Sequence, residues 1–140
     1  GLDTGVAKDG VRGVDATDSV DSAVMAARAL ARFIHGAVAV SGAVDVVTDG
    51  DVVVRSYVGS PLFTMVTGSG CSLGGVCAVY AAVTDPLTAA ITAVNMYNAA
   101  GKRAEKEARG PDSFEKIFLD TMYNLSADDV ASNAMDTGKA

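Results

Sequence analysis

The glycine-rich segment VTGSGCSLGG, residues 66–75, constrains the fold more than any other part of this sequence. It lies between β-branched runs and a helical pattern, so it occupies a turn from strand to helix. Glycine permits positive φ angles and close approach of a ligand to the backbone. Amide groups at the start of the following helix would point at an anion. The segment therefore predicts an anion-binding turn, although a tight turn that only permits close helix packing fits the spacing equally well.

Cys71 lies in the first turn of that predicted helix. A helix amino terminus stabilises a thiolate, which can act as a base or a nucleophile. A small, buried apolar side chain is an equally good interpretation. The segment lacks the Gly-Lys-Ser/Thr ending of a P-loop, and it follows several strands instead of opening the fold as a dinucleotide fingerprint does. The loop alone therefore names no reaction.

Charge and cysteine content limit the partners. The chain has 17 acidic and 11 basic side chains, a net charge of −6 that argues against nucleic-acid binding. The spacing of Cys71 and Cys77 matches neither a metal site nor a disulfide framework. No apolar run is long enough for a membrane span, and the first ten residues do not resemble a signal peptide. We expect a cytoplasmic protein that binds small molecules.

The apolar patterns predict an α/β chain that forms a single domain. Its segments are a loop (1–16), a helix plus strands (17–60), the glycine loop with the start of a helix (61–75) and a helical part (76–135). The first helix is expected to begin near Thr17 and to end at Gly36. Residues 37–40 are apolar on both faces, which is typical of a buried parallel strand. Residues 44–47 and 52–55 flank a turn and predict a hairpin.

The second half of the sequence carries clear helix boundaries. Asp85 and Pro86 provide a cap and a first-turn proline for a long helix. The spacing of Asp112 and Glu115 predicts a capping box at the start of the next helix. A short helix is expected after Ala127, and the terminal residues MDTGKA are predicted to fray.

Several motifs together resemble the C-terminal half of the hydroxyethylthiazole kinases, which belong to the ribokinase-like superfamily. These motifs are VRGVDATDS, AVSGAVDVVTDG, VTGSGC, DPLTAAITAVNMYNAAG and GPDSFEKIFLDTMYNLS. The resemblance runs to about Asp129. It implies a three-layer αβα fold, of which this chain would hold part of a mainly parallel sheet, a hairpin and several helices.

The resemblance implies phosphoryl transfer from ATP, with Mg²⁺, to the hydroxyl of 4-methyl-5-(2-hydroxyethyl)thiazole in thiamine salvage. Cys71 matches the position at which related kinases carry a catalytic aspartate and thiazole kinases carry cysteine. Gly68, Ser69, Gly70 and Cys71 would form the anion hole, and the Gly68 amide would contact the substrate. Ser41 matches a threonine that contacts ATP phosphate, although a strand-end residue that satisfies a turn amide is the alternative.

The sequence also departs from the family pattern. Ser60 and Met65 replace a histidine and a lysine, so contacts from those side chains are not expected. The family's N-terminal half is missing, and with it the Mg²⁺ ligands, so we expect no metal ligand in this chain and an unpaired edge on residues 37–40. Asp45 and Asp49 invite a metal interpretation, but a structural role in the hairpin is preferred.

We therefore expect a fragment that works with an N-terminal half supplied elsewhere, in a homotrimer by resemblance. Two alternatives stay open. One is another ribokinase-like enzyme, such as a vitamin kinase or an ADP-dependent hydrate dehydratase, although these favour aspartate at position 71. The other is a catalytically inert nucleotide-binding or packing fragment.

Overall fold

The computed structural model describes residues 20–133 and 135–139. The predicted loop 1–16 and the predicted helix cap at Thr17 lie outside these residues. The described helices are α1 (Val20–Ile34), a 3-10 helix (Pro61–Met65), α2 (Ser69–Ala81), α3 (Pro86–Glu107), α4 (Pro111–Asn124) and α5 (Ala127–Ala131). The described strands are β1 (Val38–Val40), β2 (Asp45–Thr48), β3 (Val52–Ser56) and β4 (Asp136–Lys139).

The strands form one sheet in the order β1-β2-β3-β4, and each neighbouring pair is antiparallel. The predicted hairpin is confirmed as β2 and β3, which meet at Asp49 and Gly50. A carboxylate oxygen of Asp49 accepts hydrogen bonds from the amides of Asp51 and Val52, at 2.9 and 2.8 Å. These bonds tie the turn residues to one side chain, so Asp49 has the structural role that the sequence favoured.

Helices cover both faces of the sheet. Val46 and Val53 point to one face, where they form a cluster with Val24 of α1. Val47 and Val54 point to the opposite face and pack into the larger core built on α3. Helix, sheet and helix therefore form three layers, which confirms the predicted α/β fold class.

Two strand predictions need correction. Residues 37–40 were expected to form a buried parallel strand, but β1 pairs antiparallel with β2 and Ala39 is exposed. The connection from β1 to β2 has four residues, too few for the crossover that a parallel pair requires. The other edge of β1 has no strand beside it within the described residues. The predicted frayed tail is also wrong, because Asp136–Lys139 pairs with β3 as β4.

The long helix α3 forms the centre of the core. It begins where the sequence predicted, with an Asp85 carboxylate oxygen accepting from the Thr88 amide at 3.0 Å. Four aromatic rings from the 3-10 helix, α3 and α4 pack together beside it: Phe63, Tyr97, Phe114 and Phe118. Helices α3, α4 and the short α5 lie in the part of the chain that was expected to be helical.

Two helix ends differ from the predicted ones. The capping box of Asp112 and Glu115 is wrong, because Pro111 already lies in α4 and the Ser113 hydroxyl instead accepts from the Arg109 and Gly110 amides. At the end of α1, His35 adopts the left-handed conformation with φ 51°. The Gly36 amide then donates back to the Ala31 carbonyl at 3.1 Å.

Candidate active site

The glycine loop (residues 66–71) leads from the 3-10 helix into α2. Ser60 caps the 3-10 helix, with its hydroxyl accepting from the Leu62 amide at 3.2 Å. Gly68 occupies the N-cap of α2 with φ 90° and ψ −1°, a left-handed conformation that side chains rarely adopt. A Cβ atom built on Gly68 would meet nothing within 4 Å. Backbone conformation, and not crowding, therefore requires glycine here.

The start of α2 presents unpaired donors. Within the described residues, the amides of Gly70 and Cys71 have no acceptor, whereas the Ser69 amide donates to Val66 and the Ser72 amide to Gly68. Gly70 and Cys71 are also exposed. Cys71 is thus not the buried apolar residue of the alternative interpretation. Open amides at the positive end of a helix dipole are suited to an anion.

The structure brings Ser41 next to this loop. Ser41 lies in the connection between β1 and β2, which we call the Ser41 turn (residues 41–44). A Cβ atom built on Gly70 would lie 3.9 Å from the Ser41 hydroxyl oxygen. Ser41 is exposed and donates to no group in the described part of the chain. Two segments far apart in sequence therefore lie next to each other, and each has donors without a partner in the described residues.

A buried carboxylate holds the Ser41 turn. One oxygen of Asp45 accepts from the Gly42 amide at 2.9 Å, and the other accepts from the Asn98 side-chain amide at 2.6 Å. The same Asn98 nitrogen also reaches the Ser56 hydroxyl at 3.0 Å. Burial raises the pKa of Asp45, and the hydrogen bonds from Asn98 and Gly42 oppose that rise. Asp45 thus organises the turn, which agrees with the preferred structural interpretation.

A tyrosine holds the start of α2. The Tyr97 hydroxyl donates to the Ser69 carbonyl at 2.6 Å and lies 2.6 Å from the Ser72 hydroxyl. The Ser69 hydroxyl in turn donates to the Phe63 carbonyl at 2.9 Å, which joins α2 to the 3-10 helix. Burial raises the pKa of Tyr97, so the phenol stays protonated near neutral pH.

The sequence indicated Ser41 and the glycine loop, which the structure places next to each other, but it did not indicate the hydrogen bonds of Tyr97 and Asn98. Both residues lie within a long helical pattern, where a polar residue at a buried position is the only local indication of such a role. Of the two family departures, Ser60 caps a helix and Met65 is exposed. Within the described residues, no three His, Cys, Asp or Glu side chains lie close enough to share a metal ion.

The described helices include none with both the length and the apolar character of a membrane crossing.

Comparison with solved structures defines the class of protein. The structure of a hydroxyethylthiazole kinase from Pyrococcus horikoshii OT3 matches with a TM-score of 0.79 and 31% sequence identity, over 85% of this chain and 47% of that one. The three layers and the glycine loop before α2 thus belong to a ribokinase-like kinase fold. The hydroxyethylthiazole kinase family model matches residues 3–128. The chain belongs to the hydroxyethylthiazole kinase family.

Curated relatives agree with this assignment. A hydroxyethylthiazole kinase of Bifidobacterium animalis subsp. lactis is 48% identical over 130 residues, covering 88% of this chain and 43% of that protein. A hydroxyethylthiazole kinase of Clavibacter sepedonicus is 47% identical over 125 residues, covering 89% and 46%. The chain therefore spans less than half the length of the curated relatives it matches.

Proposed function

We propose that this chain forms the anion-hole side of a kinase that phosphorylates the hydroxyl of 4-methyl-5-(2-hydroxyethyl)thiazole with ATP, a step of thiamine salvage. The observation that carries the proposal is the pair of open amides of Gly70 and Cys71 beside the free hydroxyl of Ser41. The family assignment supplies the reaction class. We assign Gly68, Ser69, Gly70 and Cys71 to the anion hole, with the Gly68 amide also contacting the substrate.

The geometry suits phosphoryl transfer because this reaction depends on positioning and on donors aimed at spread negative charge. Ser41 would donate to an ATP phosphate oxygen, and the amides at the start of α2 would face the transferring phosphoryl group. The substrate oxygen forms a bond to the γ-phosphorus while the bond from that phosphorus to the ADP oxygen breaks. The hydroxyl proton leaves from the substrate oxygen, and Cys71 stands at the position assigned to accept it.

The rest of the kinase fold would cover the exposed side of α2. This helix carries no charged residue, yet Val79 is 70% exposed, and Val83 just beyond its end is 80% exposed. β1 lies beside this helix, because Ala39 of β1 and Ala78 of α2 line the same cavity. We assign this surface to the N-terminal half of the family fold, which would also hold the Mg²⁺ that accompanies ATP. A cytoplasmic homotrimer completes the proposal and rests on the family resemblance.

A kinase assay on the whole protein that carries these residues tests the proposal. We expect ADP release that depends on both hydroxyethylthiazole and Mg²⁺. Cys71→Ala should lower kcat by about 10²-fold, the lower end of what a general base contributes, because a primary alcohol loses its proton late in a loose transition state. Cys71→Asp should retain activity, because aspartate can accept the same proton.

Cys77→Ala is the matched control. Cys77 lies in the same helix but is half-buried against the core instead of standing at the loop. It should keep the wild-type kcat. Absence of thiazole-dependent ADP release from the wild-type protein would refute the proposed reaction.

A further inference from the structure

Two adjacent residues of α3 are linked by hydrogen bonds, one directly and one through Asp45, to the two segments of the candidate site. Tyr97 reaches the start of α2 through the Ser69 carbonyl and the Ser72 hydroxyl, each at 2.6 Å. Asn98 reaches the Ser41 turn through Asp45, whose second carboxylate oxygen accepts from the Gly42 amide. Both side chains are buried, with 4% of each residue exposed. Two consecutive residues of α3 therefore hold both segments of the candidate site, Tyr97 directly and Asn98 through Asp45.

The helix that carries this pair is firmly fixed. Residues on both sides of it, including Ala93, Val94 and Ala100, are buried in the main core. Asp45 and Ser56 stand directly opposite each other on β2 and β3, so both partners of Asn98 belong to paired strands. The Tyr97 ring stacks on Phe63 with centroids 5.0 Å apart. The bonds from Asn98 to Asp45 and Ser56 are buried, whereas those from Tyr97 to Ser69 and Ser72 are partly buried. Movement of either segment would break hydrogen bonds that are strengthened by this burial.

We propose that Tyr97 and Asn98 are positioning residues that set the distance between the Ser41 turn and the glycine loop. This inference rests on the proposed function, because the spacing matters only if one phosphate chain contacts both segments. Neither residue touches the substrate. Asn98 acts through Asp45 on the nucleotide side, and Tyr97 acts through Ser69 on the anion hole.

The two branches predict different kinetic effects in the whole protein. Asn98→Ala frees the Ser41 turn and should raise KM for ATP about tenfold, a change of the size expected for one lost hydrogen bond. KM for the thiazole should stay within about twofold. Tyr97→Phe removes one hydroxyl and keeps the ring. It should lower kcat about tenfold with little change in either KM, because the anion hole acts on the transition state.

A double variant that swaps the two side chains distinguishes loss of the hydrogen bond from misfolding. In the double variant Asp45→Asn with Asn98→Asp, the amide at position 45 can accept from Gly42 and donate to the carboxylate at position 98. The link is preserved with its polarity reversed. This variant should recover at least half of the ATP affinity that Asn98→Ala loses.

Two matched controls separate positioning from stability. Asn95 is also a buried amide of α3, but it donates to the Val130 carbonyl and holds α5. Tyr80 joins α2 to α3 through a hydroxyl contact to the Met96 sulfur at 3.2 Å, away from the loop. Asn95→Ala and Tyr80→Phe should lower Tm without changing kcat or either KM.

Hydrogen–deuterium exchange supplies a readout that does not depend on activity. Asn98→Ala should speed exchange at residues 41–44 about tenfold or more and leave residues 67–72 unchanged, and Tyr97→Phe should do the reverse. Wild-type exchange and wild-type kinetic constants in both folded variants would overturn the inference. If the wild-type protein shows no kinase activity, the proposed function fails, and the exchange pattern alone decides whether the pair holds the two segments.

Discussion

Helices α2 and α3 pack against each other but differ in how completely this chain covers them. Eleven of the 22 residues of α3 are buried, whereas Leu73 is the single buried residue among the 13 of α2 in the described structure. Their compositions show the opposite order: the less buried helix, α2, has no charged residue, whereas α3 has several. An apolar helix left exposed indicates a surface made to be covered.

The difference in burial indicates that the two helices have different roles in this chain. Helix α3 carries the packing of the chain, through its contacts with the sheet, α2 and α4. The first turn of helix α2 forms part of the candidate site. The side of α2 that carries Val79 is exposed. Its small residues allow another surface to approach closely. The stability of this chain should therefore depend on α3 and respond little to α2.

The largest effect should come from the core around α3. Phe114 is 1% exposed and contacts Phe63 edge to face, with centroids 5.2 Å apart. Phe114→Ala should lower the free energy of unfolding by about 3–5 kcal/mol, because it removes a buried ring and leaves a cavity. Val79→Ala on the exposed side of α2 should change it by less than about 0.5 kcal/mol. Urea unfolding of both variants checks the contrast, and equal losses would contradict it.

Two glycines inside the helices give a second, smaller contrast. A Cβ atom on Gly101 of α3 would lie 2.5 Å from the Phe63 ring, which other aromatic rings hold in place. Gly101→Ala should therefore cost about 1–3 kcal/mol. A Cβ atom on Gly74 of α2 would meet nothing within 4 Å, so Gly74→Ala should add about 0.5–1 kcal/mol to the stability of this chain.

The same Gly74→Ala substitution in the whole protein tests whether another part of the fold covers α2. If the remaining family fold covers α2, the added methyl group meets that surface and the gain disappears. An undiminished gain in the whole protein would show that nothing packs closely on this side of α2.

Much of the fold could be predicted from local patterns. Asp85 and Pro86 fixed the start of α3, and Asp49 with Gly50 fixed the hairpin, because each depends on neighbours only a few residues away. The exposure of α2 could not be predicted, since an apolar pattern indicates burial without saying which chain segment provides it. The antiparallel pairing of β1 was missed because the apolar character of residues 37–40 outweighed the shortness of the following connection.

In the candidate site, too, some features could be predicted from local sequence and others could not. The glycine loop and Ser41 stand out by composition and by motif. The contact between Asn98 and Asp45 joins residues 53 positions apart, and the contact between Tyr97 and Ser69 joins residues 28 apart. Such links depend on how helices and sheet pack, and no local pattern carries that information.

The two helices also differ in the charge beside them. Asn98 of α3 donates to the buried carboxylate of Asp45, whereas α2 contains no charged residue. Burial raises the pKa of Asp45 above its ordinary value of 3.8. At pH values between the ordinary pKa and the raised native pKa, native Asp45 keeps a proton that the unfolded chain has lost. The free energy of unfolding should therefore fall as pH rises through this range. Urea unfolding at several pH values should show that slope in the wild type and its loss in Asp45→Asn. Val79→Ala should keep the slope, and its persistence in Asp45→Asn would assign it to another group.

The smallest effect concerns the exposed ion pair between α3 and α5. Arg103, followed by Ser126, holds the pKa of Asp129 well below its usual range. This pair contributes stability above the ordinary carboxyl pKa and loses it as pH falls through the native one. Arg103→Ala should therefore be slightly less stable than wild type at neutral pH and equal to it in strong acid. Lys102→Ala, which removes a neighbouring charge of the same helix, should show no such convergence.

In the proposed site, the first turn of α2 and the Ser41 turn together bind the phosphates of ATP. Hydrogen–deuterium exchange of the whole protein, with and without a non-hydrolysable ATP analogue and the thiazole, can detect this binding. Exchange should slow at residues 41–42 and 68–71 when both ligands are bound, while the exposed residues 105–107 at the end of α3 stay unchanged. Unchanged exchange in both segments under saturating ligand would contradict it.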